Sequence, residues 1–276
     1  MMHTLVLLGT LTAILLAVGW VLGGVLGIGL ALVLAIVLNF TSYWYSDRIV
    51  LRMYKARPLD NKEIEEAAAR LAREAKIPKP RLYQVPTDIP NAFATGRDPQ
   101  HAVIAVTAGL LNLDKAEIEG VLAHEMAHIR NRDVLVSTMA ATIGGAIAFM
   151  AQIGYWSLFG ATGRRGEGNL MGLILIIIFA PLAAFLVRMA ISRKREYGAD
   201  RFGAVISKRP GALASALRRI SERVGMQPLR GNSATSHMWI VNPFHKDWFT
   251  HLFASHPPLE KRISRLETME AKLKED

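Results

Sequence analysis

Apolar residues fall in long uncharged blocks along this chain, with polar stretches between them. Thr4 to Ser46 gives 43 residues without Asp, Glu, Lys or Arg, Val134 to Gly163 gives 30, and Gly168 to Val187 gives 20. A helix needs about 20 residues to cross a bilayer. The first block therefore predicts two short helices joined by a tight turn near "GWVLGG" (19–24). The other two, split by "RRGE", predict a second hairpin, in which Pro181 should kink the last span. A signal peptide does not fit: "MMHT" has no basic n-region, the run is too long, and no small-residue cleavage site follows.

Two polar segments remain, and an even number of crossings separates them, so the chain returns to the same side and both can fold as one domain. The expected organisation is a transmembrane hairpin at 1–46, the first part of the domain at 47–133, a second hairpin at 134–192, and the second part at 193–276. Basic residues flank the hairpins: Arg48, Arg52, Lys55 and Arg57, then Arg130 and Arg132, then Arg188, Arg193, Lys194 and Arg195. The positive-inside rule places all of these, and both termini, in the cytoplasm, with only Arg164 and Arg165 facing outward. The expected fold class is an α-helical membrane protein with four transmembrane helices and a small α+β cytoplasmic domain.

In that domain, Asp60 and Glu63 have capping-box spacing, and Ile64, Ala68, Leu71 and Ala75 recur with helical period. "RLYQVP" (81–86), "NAFATG" (91–96) and "AVIAVTAG" (102–109) are short and bounded by Pro, Gly, Asn and Asp, which predicts a small sheet. Asp114 and Glu117 repeat the capping-box pattern at the start of a helix whose buried face is marked by Ile118, Leu122 and Ile129.

Composition narrows the chemistry. With 51% hydrophobic residues the chain reads as a membrane protein, and its net charge of +10 is largely juxtamembrane. Basic and aromatic residues are not interleaved as in single-strand binders, so no nucleic-acid partner is expected. There is no cysteine. Thiol catalysis and thiolate metal sites are thereby excluded, and any metal must be held by His and carboxylates.

The stretch "VLAHEMAHIRNRD" puts His124, Glu125 and His128 in the spacing H-E-x-x-H. The two histidines lie one helical turn apart and point the same way, as two imidazoles must to reach one zinc ion. Glu125, next round the helix, can deprotonate a water without being a ligand itself. A third ligand must come from elsewhere on the cytoplasmic side, and "SRKREYGADRFG" is the best source. Glu196 and Asp200 are one turn apart there, with Glu196 as ligand and Asp200 as the acceptor that orients a ligand histidine. The ends of the second hairpin would bring His128 and Glu196 together at the bilayer surface.

"HEMAH", "SRKREYGAD" after a membrane hairpin, "NAFATG" upstream and "SHPPLEKRI" downstream together resemble the HtpX-type membrane metalloproteases, relatives of the CAAX prenyl endopeptidases. The resemblance spans nearly the whole chain in the same order. It implies a gluzincin-type endopeptidase with one zinc ion on His124, His128 and Glu196, and with Glu125 as catalytic acid and base. It also implies quality control of misfolded or damaged membrane proteins, as part of a stress response at the cell membrane. The partners expected are polypeptide substrates and the lipid bilayer, and a homo-oligomer is compatible with the sequence.

A developing oxyanion needs a donor besides the metal, and His237, His245, His251 and His256 are the candidates. His256, in "SHPPLEKR", is favoured, although a helix-start or packing role explains it equally well, and Arg262 could support it. Trp239, Phe244, Trp248, Phe249 and Phe253 read as a cover over the site or a membrane-surface contact. For substrate, the stretch Asn91, Ala92, Phe93, Ala94, Thr95 and Gly96 suits a sheet edge that binds a peptide backbone as an added strand. The resemblance likewise places it beside the zinc, with Asn91 near the substrate. The rival readings are a catalytically inactive membrane scaffold, a prenyl-peptide protease, and an intramembrane protease, the last disfavoured because Glu117 and Arg130 flank the motif.

Overall fold

The computed structural model describes residues 2–140, 193–227, 233–244 and 257–275. Helix α1, Met2–Met53, is broken at Gly23 and Gly24, where Gly24 takes φ 56° and ψ −135°, backbone that favours a residue without Cβ. Beyond the break the chain doubles back. A Cβ on Gly19 or Gly27 would run into the other's backbone, and Asn39 Nδ2 donates to Thr12 Oγ1 at 3.0 Å across the two arms. Small residues at the crossing let the backbones approach. Gly23–Tyr45 is long and apolar enough to cross a bilayer, while the first arm carries the shorter apolar helix Leu8–Ala17. Past residue 46 the helix runs on without interruption into the folded domain. Residues 133–140 are again helical, and the rest of the expected second hairpin lies outside the described residues.

Four strands form one sheet in the order β1-β2-β4-β3: β1 Arg57–Pro58, β2 Arg81–Val85, β3 Ala92–Thr95 and β4 Val103–Thr107. β2 and β4 are parallel, and the other two pairs are antiparallel. The three longer strands coincide with the three apolar stretches, whereas β1 is too short to leave a period-2 signal. β3 is an edge strand.

One face of the sheet, through Leu82, Ile104 and Val106, packs on helix α2, Lys62–Ala75, and helix α3, Lys115–Arg130. The N-cap of α2 is Asn61 and not Asp60, one residue later than the sequence pattern suggested. Asn61 has extended backbone and its side chain accepts from Ile64 N at 3.2 Å, and Asn caps as well as Asp does. The other face, through Val85, Phe93, Val103 and Ala105, packs against Val50 and Leu51 at the end of α1 and against Met238, Trp239 and Phe244. Tyr54 joins these parts: its ring meets Trp239 edge-on at 4.9 Å, and its hydroxyl hydrogen-bonds the Thr235 hydroxyl and accepts from Trp239 Nε1 at 3.3 Å. The anchor thus supplies part of the core that supports the sheet.

Helices α4, Arg193–Ser207, and α5, Pro210–Met226, pack against α3, and α6, Leu259–Glu275, packs on α5 and α4. α4 comes close enough that a Cβ on Gly203 would sit 3.0 Å from His124 N. That approach lets short carboxylate side chains of α4 reach the histidines of α3.

Candidate metal centre

The first turn of α3 is fixed from both directions. Asp114 N donates to Glu117 Oε2 at 3.1 Å, and Glu117 also accepts from Ser215 Oγ at 2.6 Å and Arg219 Nη1 at 2.6 Å on α5. Two turns on, His124 and His128 present their Nε2 atoms to one another at 3.3 Å. Glu196, from the first turn of α4, places Oε1 3.5 Å from His128 Nε2 and Oε2 3.9 Å from His124 Nε2. A tetrahedral zinc ion with bonds of about 2.0–2.1 Å needs ligand atoms roughly 3.3 Å apart, so this donor set fits a metal ion. Two ring nitrogens facing each other this closely cannot both carry protons, and a shared cation removes that conflict.

Each histidine is held from behind by a carboxylate. His124 Nδ1 lies 3.0 Å from Asp200 Oδ1, and His128 Nδ1 lies 3.3 Å from Asp133 Oδ2. The His128–Asp133 contact is a hydrogen bond that favours the tautomer with Nε2 as the ligand atom, and at His124 the Asp200 carboxylate lies behind Nδ1 without hydrogen-bond alignment. Asp133 escaped the sequence reading because helical period places i+5 away from His128. Arg132 takes φ 59° and turns the chain so that Asp133 folds back. A carboxylate just beyond the motif was the available signal.

Arg262, from the first turn of α6, is 1% exposed. Its Nε and Nη2 donate to the two oxygens of Asp200 at 2.8 and 2.7 Å, and its Nη1 donates to the Ile240 carbonyl at 3.0 Å. Nη1 is also 3.7 Å from Glu196 Oε2. Although burial raises the Asp200 carboxyl, Arg262 and His124 outweigh it and hold the pKa at about 2. Burial pulls His128 down, but Asp133, Glu196 and Glu125 raise it to about 9. Glu125 is pushed up to about 7, first by burial, which His128 opposes and Glu196 reinforces.

The six residues expected along the substrate edge divide by direction. Asn91 and Ala92 bond the chain's own segment 240–241: Ile240 N donates to Ala92 O at 3.1 Å, and Asn91 Nδ2 donates to Val241 O at 2.7 Å. Phe93 turns to the opposite face and meets the Trp239 ring edge-on at 4.8 Å. Ala94 lines a small cavity with His124, Glu125, His128 and Glu196. Thr95 pairs its hydroxyl with that of Thr138 at 3.2 Å, and Gly96 takes φ 139°, where a Cβ would collide with the backbone of His101. Trp239 both lines the cavity and lies fully in the core, which accounts for one of the expected aromatic cover residues. His256, His245, His251, Trp248, Phe249 and Phe253 lie outside the described residues.

Two helical histidines, a carboxylate from a second helix and a buried glutamate between motif and sheet, all joined to an apolar hairpin, define a membrane-bound metallopeptidase. The chain belongs to peptidase family M48, which matches residues 58–270. It is 51% identical over 271 residues to the Protease HtpX homolog of Pyrococcus abyssi, covering 96% of this chain and 94% of that one. It is 49% identical over 272 residues to the Protease HtpX homolog of Desulforapulum autotrophicum, covering 96% and 88%. The solved structure of S. mikatae Ste24p overlaps it with a TM-score of 0.43 at 17% identity, covering 94% of this chain and 62% of that one, which is too remote to add to the assignment.

Glu196→Ala tests the ligand set. Metal affinity and proteolysis should fall together, by more than the roughly 10–100-fold that loss of an outer partner costs. Tight stoichiometric metal in that variant would show that the third ligand is another residue.

Proposed function

We propose that the protein is a zinc-dependent endopeptidase that hydrolyses misfolded or damaged membrane proteins at the cytoplasmic surface of the cell membrane. One zinc ion would sit on His124, His128 and Glu196. The observation that carries this reading is that the ligand atoms of these three residues lie within 4.8 Å of one another at the foot of a membrane hairpin. Zinc bound there supplies a Lewis acid that polarises the scissile carbonyl and acidifies water. Glu125, beside the ligands but not among them, takes the proton of the attacking water and returns it to the leaving amine. Asp200 and Asp133 orient the two histidines, and Arg262 holds Asp200. His256, directly ahead of α6 in sequence, is the candidate donor to the oxyanion. The basic residues after the first apolar run, among them Arg48 and Arg52, support the cytoplasmic orientation and the multi-pass topology.

The test is metal content against activity. Purified chain should carry one zinc, lose casein cleavage on chelation and regain it on adding zinc back. Cleavage by metal-free protein would defeat the reading.

The substrate backbone is proposed to add to β3 at Ala94, whose N–H and C=O face away from β4. Ala94→Pro removes the N–H at an outward position, where the ladder itself is not broken. Peptide cleavage should drop at least tenfold while metal content and folding persist. Unchanged cleavage by the folded, metal-loaded variant would place substrate elsewhere.

A further inference from the structure

β3 has two ends, and they differ. The Ala92 end is closed by the chain itself. Ile240 N takes the Ala92 carbonyl at 3.1 Å, the Asn91 side chain takes the Val241 carbonyl at 2.7 Å, and Arg262 fixes the Ile240 carbonyl at 3.0 Å. Tyr54 fastens the same segment through Thr235 and Trp239. An added strand cannot extend across Ala92 without displacing this segment and leaving buried polar groups unpaired.

The other end points to the membrane. Arg97, just beyond β3, stacks on Trp44 with its guanidinium 5.0 Å from the ring centroid. Trp44 and Tyr45 end the candidate span, and Asp47 is the first charged residue after it, the arrangement of an interfacial aromatic belt. Arg81 starts β2 next to this point, with Nη2 3.3 Å from Asp47 Oδ2, and the ladders place Arg81, Val103 and Thr95 at the same end of the sheet. Thr95 also meets Thr138 at 3.2 Å, and the cavity beside Ala94 is walled by Val134 and Ser137, so the start of the second apolar run adjoins this end too. Three separate contacts therefore agree on which end of the substrate edge faces the bilayer.

We propose that a substrate enters along β3 from the bilayer side only, so that the protease measures distance from the membrane and cuts unfolded chain close to where it leaves the lipid. This rests on the reading of β3 as the substrate edge. Ala94 and Arg97 are three residues apart, roughly 10 Å of extended chain at about 3.3 Å per residue, so scission should fall within roughly three to six residues of the interface. The substrate class is an unfolded polypeptide tethered to a membrane span.

The experiment uses the full, zinc-loaded chain co-reconstituted in vesicles with a single-span protein that bears an unfolded tail. Cleavage sites are mapped by mass spectrometry. A second substrate carries about ten further residues of the same unfolded kind between span and tail, which moves the tail sequence about 33 Å outward. The expected result is that cleavage keeps its distance from the span and so moves in sequence by about ten residues. Cleavage that follows the tail sequence, or that is spread evenly along it, would overturn the proposal. The tail is also supplied as a free peptide, for which Ala94→Pro reads out edge binding separately. If Ala94→Pro cuts the peptide normally, the edge reading itself fails and this proposal fails with it. If Ala94→Pro is impaired but the cut follows sequence, only the membrane measure is wrong.

Discussion

Glu125→Gln should bind metal as tightly as the unchanged chain and lose casein cleavage by roughly 10²–10⁴-fold, the usual contribution of a positioned acid and base. Glu125 is not one of the three residues whose ligand atoms converge, so the metal keeps its donors. Glutamine has the same shape. At 2% exposure the side chain is buried, so its replacement by a neutral amide of equal volume leaves the packing of α3 against β3 intact. What glutamine cannot do is take a proton from water and pass it on. Metal content by elemental analysis and initial rates on casein are the two readings required. A rate within tenfold of the parent at full metal occupancy would remove Glu125 from the chemistry.

The parts of this site visible in the sequence are those that follow a local period. H-E-x-x-H sits on a helix with a capping signal, and Glu196 and Asp200 are one turn apart on another, so each pair is a one-dimensional pattern. The strands were legible because they are short apolar runs between turn residues. Contacts between distant segments carry no such pattern. Nothing in "SHMWIV" announces that Ile240 would bond the Ala92 carbonyl, since that depends on where α5 and α6 leave the chain. Asp133 was hidden by a left-handed residue at Arg132. Val50, Leu51 and Tyr54 fell within the part of the chain expected in the domain, but no local period showed that they pack beneath the sheet.

Arg262→Met should be the most destabilising single change at the site, by about 3–5 kcal/mol, the cost of leaving one partner of a buried pair uncompensated. The guanidinium is buried, donates two hydrogen bonds to Asp200 and one to Ile240 O, and its Nη2 also lies 3.5 Å from His124 Nε2. Methionine fills similar volume, so the loss would come from charge and not from a cavity. Asp200 would remain buried against His124 as an unpaired carboxylate, and the Ile240 carbonyl would lose its donor. Pairing the change with Asp200→Asn removes the stranded charge, and the double variant should therefore recover a good part of the loss. Lysine should rescue poorly, because a single ammonium cannot span both Asp200 oxygens and a carbonyl as the planar fork does. Thermal unfolding midpoints of the full chain, taken for both single variants and the double, give the coupling directly. Losses that simply add would mean that Arg262 and Asp200 stabilise the fold independently, and a loss under about 1 kcal/mol for Arg262→Met would mean that water replaces the guanidinium at no cost.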